Sequence, residues 1–186
     1  MSTFALLLSL VAVVLPVQAF DRYTAHGGPV RDLTISPDGS MLVSASFDYS
    51  AVVWTAPQIT EKSTLYAHEA AVNTARFSPD GKLLATAGDD GRIYLWKKDV
   101  LSDEEPEPII LSGHKGKVVN LAFSDDGSLL ASASWDGSIG LWPLTRGPEA
   151  AAEDSRFVRG HDGPVNMVQF APSGTHLYSA GHDGQV

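Results

Sequence analysis

At 186 residues, 44% of them hydrophobic and 19% charged, the chain has the profile of an ordinary globular protein with room for a buried core. A formal net charge of -9 and a pI near 4.9 argue against a nucleic-acid backbone as partner. The absence of cysteine excludes disulfides, thiolate metal sites, covalent haem attachment and a Cys nucleophile within these residues.

The chain opens on an apolar run, Phe4 to Leu15, of the length of a signal-peptide core and too short to span a bilayer comfortably. Pro16 breaks it, and Val17-Gln18-Ala19 offers small residues for cleavage before Phe20. Residues 1–19 therefore read as a secretory signal, although no Lys or Arg precedes the run. The expectation is an exported protein, periplasmic or secreted, with an uncleaved anchor as the alternative and no membrane span once the signal is removed.

From residue 20 onward the sequence repeats. His26, His68, His114 and His161 stand 42, 46 and 47 residues apart. A hydroxyl residue lies 18 after each (Ser44, Thr86, Ser132, Ser179), an Asp 22 after (Asp48, Asp90, Asp136, Asp183), and a Trp 28 after the first three (Trp54, Trp96, Trp142). Fixed offsets inside units of varying length mark a structural repeat. The units are 26–67, 68–113, 114–160 and a shorter 161–186.

Within each unit, short β-rich runs alternate with turns. The first turn is Ser36-Pro37-Asp38-Gly39, Ser78-Pro79-Asp80-Gly81, Ser124-Asp125-Asp126-Gly127 or Ala171-Pro172-Ser173-Gly174. The next hairpin falls at the repeated Asp, as Asp-Gly in three units and Asp-Tyr-Ser at Asp48. Apolar residues four, seven and nine after each His are expected in the core: Val30, Leu33, Ile35; Val72, Ala75, Phe77; Val118, Leu121, Phe123; Val165, Val168, Phe170. A fourth strand is expected at Ser63–Ala67, Ile109–Ser112 and Arg156–Arg159, with Arg22–Ala25 as an orphan copy before the first His. Acidic, Pro-containing loops follow Trp96 and Trp142, and the Ala run of the second implies mobility.

These units resemble the WD-repeat β-propellers, whose blades carry Gly-His near the start and Trp at the end of the third strand. Gly-His stands at Gly113-His114 and Gly160-His161, replaced by Ala-His at Ala25-His26 and Ala67-His68. The Trp-Asp of the family is absent, since Thr55, Lys97 and Pro143 follow the Trp. The resemblance, over residues 21–186, implies an all-β propeller of four-stranded antiparallel blades. It is incomplete here: three blades, part of a fourth and an orphan strand. The fourth Trp would fall at about position 189, so the chain reads as the N-terminal part of a longer protein, or as one closed by a second chain.

Ser, His and Asp invite a catalytic-triad reading, but a nucleophile is needed once per site and this set recurs in every unit. The resemblance implies instead an intrablade hydrogen-bonded network, with no catalytic residue, cofactor or metal. Specificity then lies where units differ, on the histidine-side face: Phe47, Asp89, Trp135 and His182 before each Asp, and Arg31, Asn73 and Asn166 early in the first strands. These are the candidate contacts for a protein or peptide partner, with Phe47 and Trp135 as apolar anchors. The function expected is a non-catalytic, exported interaction platform. Two other classes stand behind it. One is the propeller part of a periplasmic redox protein with a c-type cytochrome module beyond Val186. The other is a propeller enzyme such as a lactonase or quinoprotein, whose channel would be lined by Asp32, Thr34, Thr74, Arg76, Asn120 and Gln169.

Overall fold

The computed structural model describes residues 23–103 and 105–186, so the leader lies outside the described residues. Among the described residues, fourteen β-strands and two single-turn 3-10 segments make up the regular structure. The first unit holds β1 (Val30–Ile35), β2 (Met41–Ser46), β3 (Ala51–Thr55) and β4 (Thr60–Leu65), paired antiparallel in chain order. The second repeats this with β5 (Val72–Phe77), β6 (Leu83–Gly88), β7 (Ile93–Lys97) and β8 (Ile109–Leu111). The third does so with β9 (Val118–Phe123), β10 (Leu129–Ser134), β11 (Ser138–Pro143) and β12 (Arg156–Arg159). In the fourth, β13 (Val165–Phe170) and β14 (Leu177–Gly181) form a two-stranded sheet. Among the described residues no helix is long and apolar enough to cross a membrane.

The turn chemistry explains the first hairpin of each blade. Ser36 Oγ donates to Asp38 Oδ1 (2.6 Å), Gly39 N–H returns to the Ser36 carbonyl (2.8 Å), and Gly39 takes the positive φ that closes the loop. Ser78 with Asp80 and Ser124 with Asp126 repeat the bond. At the second hairpin three units place Gly at positive φ, whereas the first places Tyr49 there at φ 73°. A side chain in that region costs about 1–2 kcal/mol.

The apolar core lies between blades. One cluster joins Val43, Val53 and Leu65 of the first blade to Val72, Ala75 and Trp96 of the second. A second joins Ala85 and Leu95 to Val118, Leu121 and Trp142, and a third joins Ala131 and Ile139 to Val165 and Val168. The first strands of the second, third and fourth units, β5, β9 and β13, thus pack on the sheet before them. Polar straps cross the same seams: Asp32 accepts from Thr74 Oγ1 (2.9 Å) and Ala75 N–H (3.1 Å), and Asn120 Oδ1 accepts from Val168 N–H (2.9 Å).

Four expectations are corrected. Val30, Leu33 and Ile35 are 49%, 58% and 63% exposed, because among the described residues no sheet precedes β1 to cover that face. Tyr23–Ala25 form no strand, since the described residues offer them no neighbouring strand to pair with. The fourth strand of the first unit runs Thr60–Leu65 rather than Ser63–Ala67, drawn back by a tight return in which Thr55 and Thr60 hydroxyls meet at 2.5 Å. The Ala-rich loop is anchored, not free: Ala151 is fully buried in the second cluster and Ala152 packs against it. Alanine is small enough to plug the seam.

Candidate functional site

The repeated His, hydroxyl, Asp and Trp meet inside each blade. In the first, Trp54 Nε1–H donates to Ser44 Oγ (2.9 Å), Ser44 Oγ stands 2.7 Å from His26 Nε2, and His26 Nδ1 stands 3.0 Å from Asp48. With a carboxylate on Nδ1, the proton of the neutral imidazole sits there and the Ser hydroxyl donates to Nε2. The second blade repeats the chain through Trp96, Thr86, His68 and Asp90 at 3.1, 3.0 and 2.9 Å. The third repeats it through Trp142, Ser132, His114 and Asp136 at 2.9, 2.7 and 3.1 Å. In the fourth, Ser179, His161 and Asp183 meet at 2.8 and 2.9 Å.

Each Asp also accepts the backbone N–H after its His, from Gly27 (2.8 Å), Glu69 (3.2 Å), Lys115 (2.7 Å) and Asp162 (2.9 Å). The set therefore pins the His loop to the hairpin turn. Burial would raise the Asp136 carboxyl, but donors from Ser138, the Lys115 N–H and His114 together hold it down at about 2. Asp48 is held at about 2 in the same way. Burial pushes the His114 imidazole below its ordinary value, against the opposing pull of Asp136. A triad geometry is present, yet Ser44, Thr86 and Ser132 are buried and each hydroxyl already accepts an indole N–H. Their oxygens reach no substrate, and the arrangement braces the blade.

The third blade solves its packing differently. Phe157 from β12 lies edge-on to His114 (centroids 5.1 Å apart) and Trp142 (5.4 Å). A Cβ at Gly113 would strike the Phe157 ring, and one at Gly140 would meet Ser132 Oγ at 2.5 Å and Trp142 Nε1 at 2.8 Å. Val52 and Tyr94 occupy the Gly140 position in the first two blades.

The variable residues line one rim. Backbone N–H groups of Phe47, Asp89, Trp135 and His182 bond to the carbonyls of Pro29, Ala71, Lys117 and Pro164, fixing each turn beside the start of a first strand. The first strand of every unit bulges there, leaving Arg31, Asn73, Val119 and Asn166 unpaired and turning them toward the rim. Arg31, Asn166 and His182 are exposed, with Phe47 at 48% and Trp135 at 45%. Two candidates are corrected. Asn73 is buried, its amide donating to Asp89 Oδ1 (2.7 Å) and to the Val118 carbonyl of the next blade (3.1 Å). Asp89 in turn takes the Lys117 ammonium. Both serve as a strap between blades, because an amide at a seam finds a carbonyl before it finds a partner.

Lys117, Lys115 and Arg159 were missed. Lys117 Nζ lies 5.6 Å from the Trp135 ring centre, and His182 lies 5.7 Å away on the fourth unit. Arg159 donates to the Asp136 carbonyl at 3.1 Å. One signal was available: Lys117 stands where the other units have Pro29, Ala71 and Pro164.

The inner cavity, about 420 Å³, is lined by Thr34, Arg76, Asn120 and Gln169 among phenylalanines. Asp32 is already engaged by Thr74, Ala75 and Arg76, and Asp125 also lines the cavity. On the opposite face Lys98 pairs with Asp38 (2.5 Å) and Lys97 with Glu149 (2.7 Å), tying adjacent blades.

Residues 18–55, 59–97, 107–143 and 153–186 match the WD40 family, described as WD domain, G-beta repeat. The chain belongs to the WD40 family. Its four matched segments cover most of the sequence, and WD40 repeats generally mediate protein–protein interactions. Over 46 residues it is 41% identical to the periodic tryptophan protein 2 homolog of Neurospora crassa, covering 25% of this chain and 5% of that protein. Over 53 residues it is 36% identical to protein hir-1 of the same fungus, covering 28% of this chain and 5% of that protein. The match thus spans about a twentieth of either relative.

Proposed function

We propose that the chain is a non-catalytic interaction platform whose histidine-side rim receives a protein or peptide partner, with Trp135 as anchor. The observation that carries this is the contrast among its four tryptophans: Trp54, Trp96 and Trp142 are 7%, 1% and 0% exposed, and Trp135 is 45% exposed at a rim turn. Exposed aromatics on rigid turns supply much of the energy where proteins meet. A photo-cross-linking residue at Val119, on the same rim, should trap a partner from an extract of the source organism, and one at Lys62 on the opposite face should not. Equal trapping from both positions, or from Lys62 only, overturns the reading. Trp135→Ala should weaken capture without lowering the melting temperature by more than about 2–4 °C, because it removes a half-exposed ring.

The apolar face of β1 calls for a covering blade, supplied by further repeats of the same polypeptide or by a second chain. Sedimentation of residues 20–186 should then show association, and a well-behaved monomer would argue against it. The leader at residues 1–19 supports an exported location, tested by finding Phe20 as the amino terminus of the mature protein.

A further inference from the structure

The surroundings of Trp135 are more specific than an apolar anchor requires. The Lys115-Gly116-Lys117 loop lies directly on the Trp135–Asp136 peptide: a Cβ at Gly116 would stand 3.0 Å from the Asp136 nitrogen and 3.4 Å from the Trp135 carbonyl carbon. Lys115 N–H is bonded to the Asp136 carboxylate and the Lys117 carbonyl to Trp135 N–H, so both lysines are held beside the turn. Arg159 arrives from β12 and spends one donor on the Asp136 carbonyl. His182 closes the far side of the ring.

Three acids bound this patch, Asp136 itself among them. Asp89 is paired with Lys117, and Asp162 precedes Gly163, whose carbonyl lies against the Gly137 turn. Lys115 and Arg159 make no ion pair with an acid among the described residues. In a chain of net charge -9, these two exposed cations stand on the segments that flank the Trp135–Asp136 turn.

Resting on the rim as the interaction face, we propose that Trp135, Lys115 and Arg159 form a subsite for an acidic peptide segment of a partner protein. A partner carboxylate sits between Lys115 and Arg159, and a neighbouring apolar side chain covers the indole. The Lys117 ammonium over the ring holds the indole in place before the partner arrives. Opposite charge at such a rim sets specificity and on-rate, and exposed pairs of this kind weaken with salt.

The test titrates the full chain with two fluorescein-labelled hexapeptides, Glu-Glu-Phe-Leu-Glu-Glu and its counterpart with Lys for every Glu, and with a twelve-residue oligothymidylate. The acidic peptide should bind about tenfold tighter than the basic one at low salt and lose most of that advantage at about 0.5 M salt. Lys115→Glu and Arg159→Glu, both exposed, should each weaken it about fivefold with unchanged circular dichroism. Equal affinity for the two peptides, tighter binding of the oligothymidylate, no saturation by the acidic peptide below about 1 mM, or indifference to both charge reversals overturns the assignment. If cross-links still form at position 119 when the peptides fail to discriminate, the platform reading stands and the acidic-partner assignment falls. Cross-links from Lys62 only, with no acidic-peptide binding, remove both.

Discussion

Replacing Ser132 by Ala tests the bracing network at its most enclosed copy. Ser132 is fully buried and bridges Trp142 Nε1 (2.9 Å) and His114 Nε2 (2.7 Å). Trp142 is also fully buried, and Gly140 contributes no side chain that could turn in as a substitute. Loss of the hydroxyl leaves one donor and one acceptor unpaired in a dry seam, at about 1–3 kcal/mol each, so about 2–6 kcal/mol together. For a chain of this size that corresponds to a fall in melting temperature on the order of 4–24 °C. Urea unfolding followed by near-ultraviolet circular dichroism reads the tryptophans directly. Ser132→Thr should stay within about 1 kcal/mol of the parent, because Thr86 fills the same role between Trp96 and His68. A Ser132→Ala loss below about 0.5 kcal/mol would refute the claim that the network stabilises the blade.

Asp32→Ala removes the acceptor for the buried Ala75 N–H and for Thr74, and should cost about 1–3 kcal/mol in the same unfolding assay; no change would mean that the seam between the first two blades is apolar in effect. Acid should destabilise in two steps. The lowered His114 pKa means the folded state resists a proton that the unfolded chain accepts, so stability falls as pH drops below 6.5; a flat urea midpoint from pH 7 to pH 5 would contradict this. The carboxyls of Asp48 and Asp136, held at about 2, favour the native state above 3.8, and that contribution disappears as pH falls from 3.8 toward 2. Tyr49→Gly should raise stability by about 0.5–1 kcal/mol by relieving the left-handed backbone, less than the full cost because glycine also loosens the unfolded chain; a decrease would show that the half-exposed ring contributes packing.

The hydrogen-bonded sets were legible because their geometry lies within single sheets, where register turns fixed contacts into fixed sequence offsets. His114 and Asp136 face each other for the same reason that His68 and Asp90 do. Contacts across seams left no such trace. Nothing in the first strand says that Asn73 reaches the Val118 carbonyl, or that Lys117 reaches Asp89, since both depend on how one sheet is set against the next. An apolar period on β1 records that a face is built to be covered, not that a cover is present; hence Val30, Leu33 and Ile35 were expected inside and lie exposed. The alanines near 151 misled through composition, because the small size that permits mobility also fits a narrow seam.

The interlock of Phe157 with Gly113 and Gly140 bears on which piece of this chain is interchangeable. The offsets suggest cassettes ending at their tryptophans, with the outer strand as connecting material. In the third unit that boundary would part the phenyl ring from the two glycines that make room for it. A graft ending at Trp142 would leave a hollow beside His114, and an alanine at position 113 would need a smaller residue at 157 in the same step. A graft would therefore have to carry the whole stretch from Gly113 to Phe157, outer strand included, and the first two blades, with Val52 and Tyr94 where Gly140 stands, are no donors of a drop-in replacement for it.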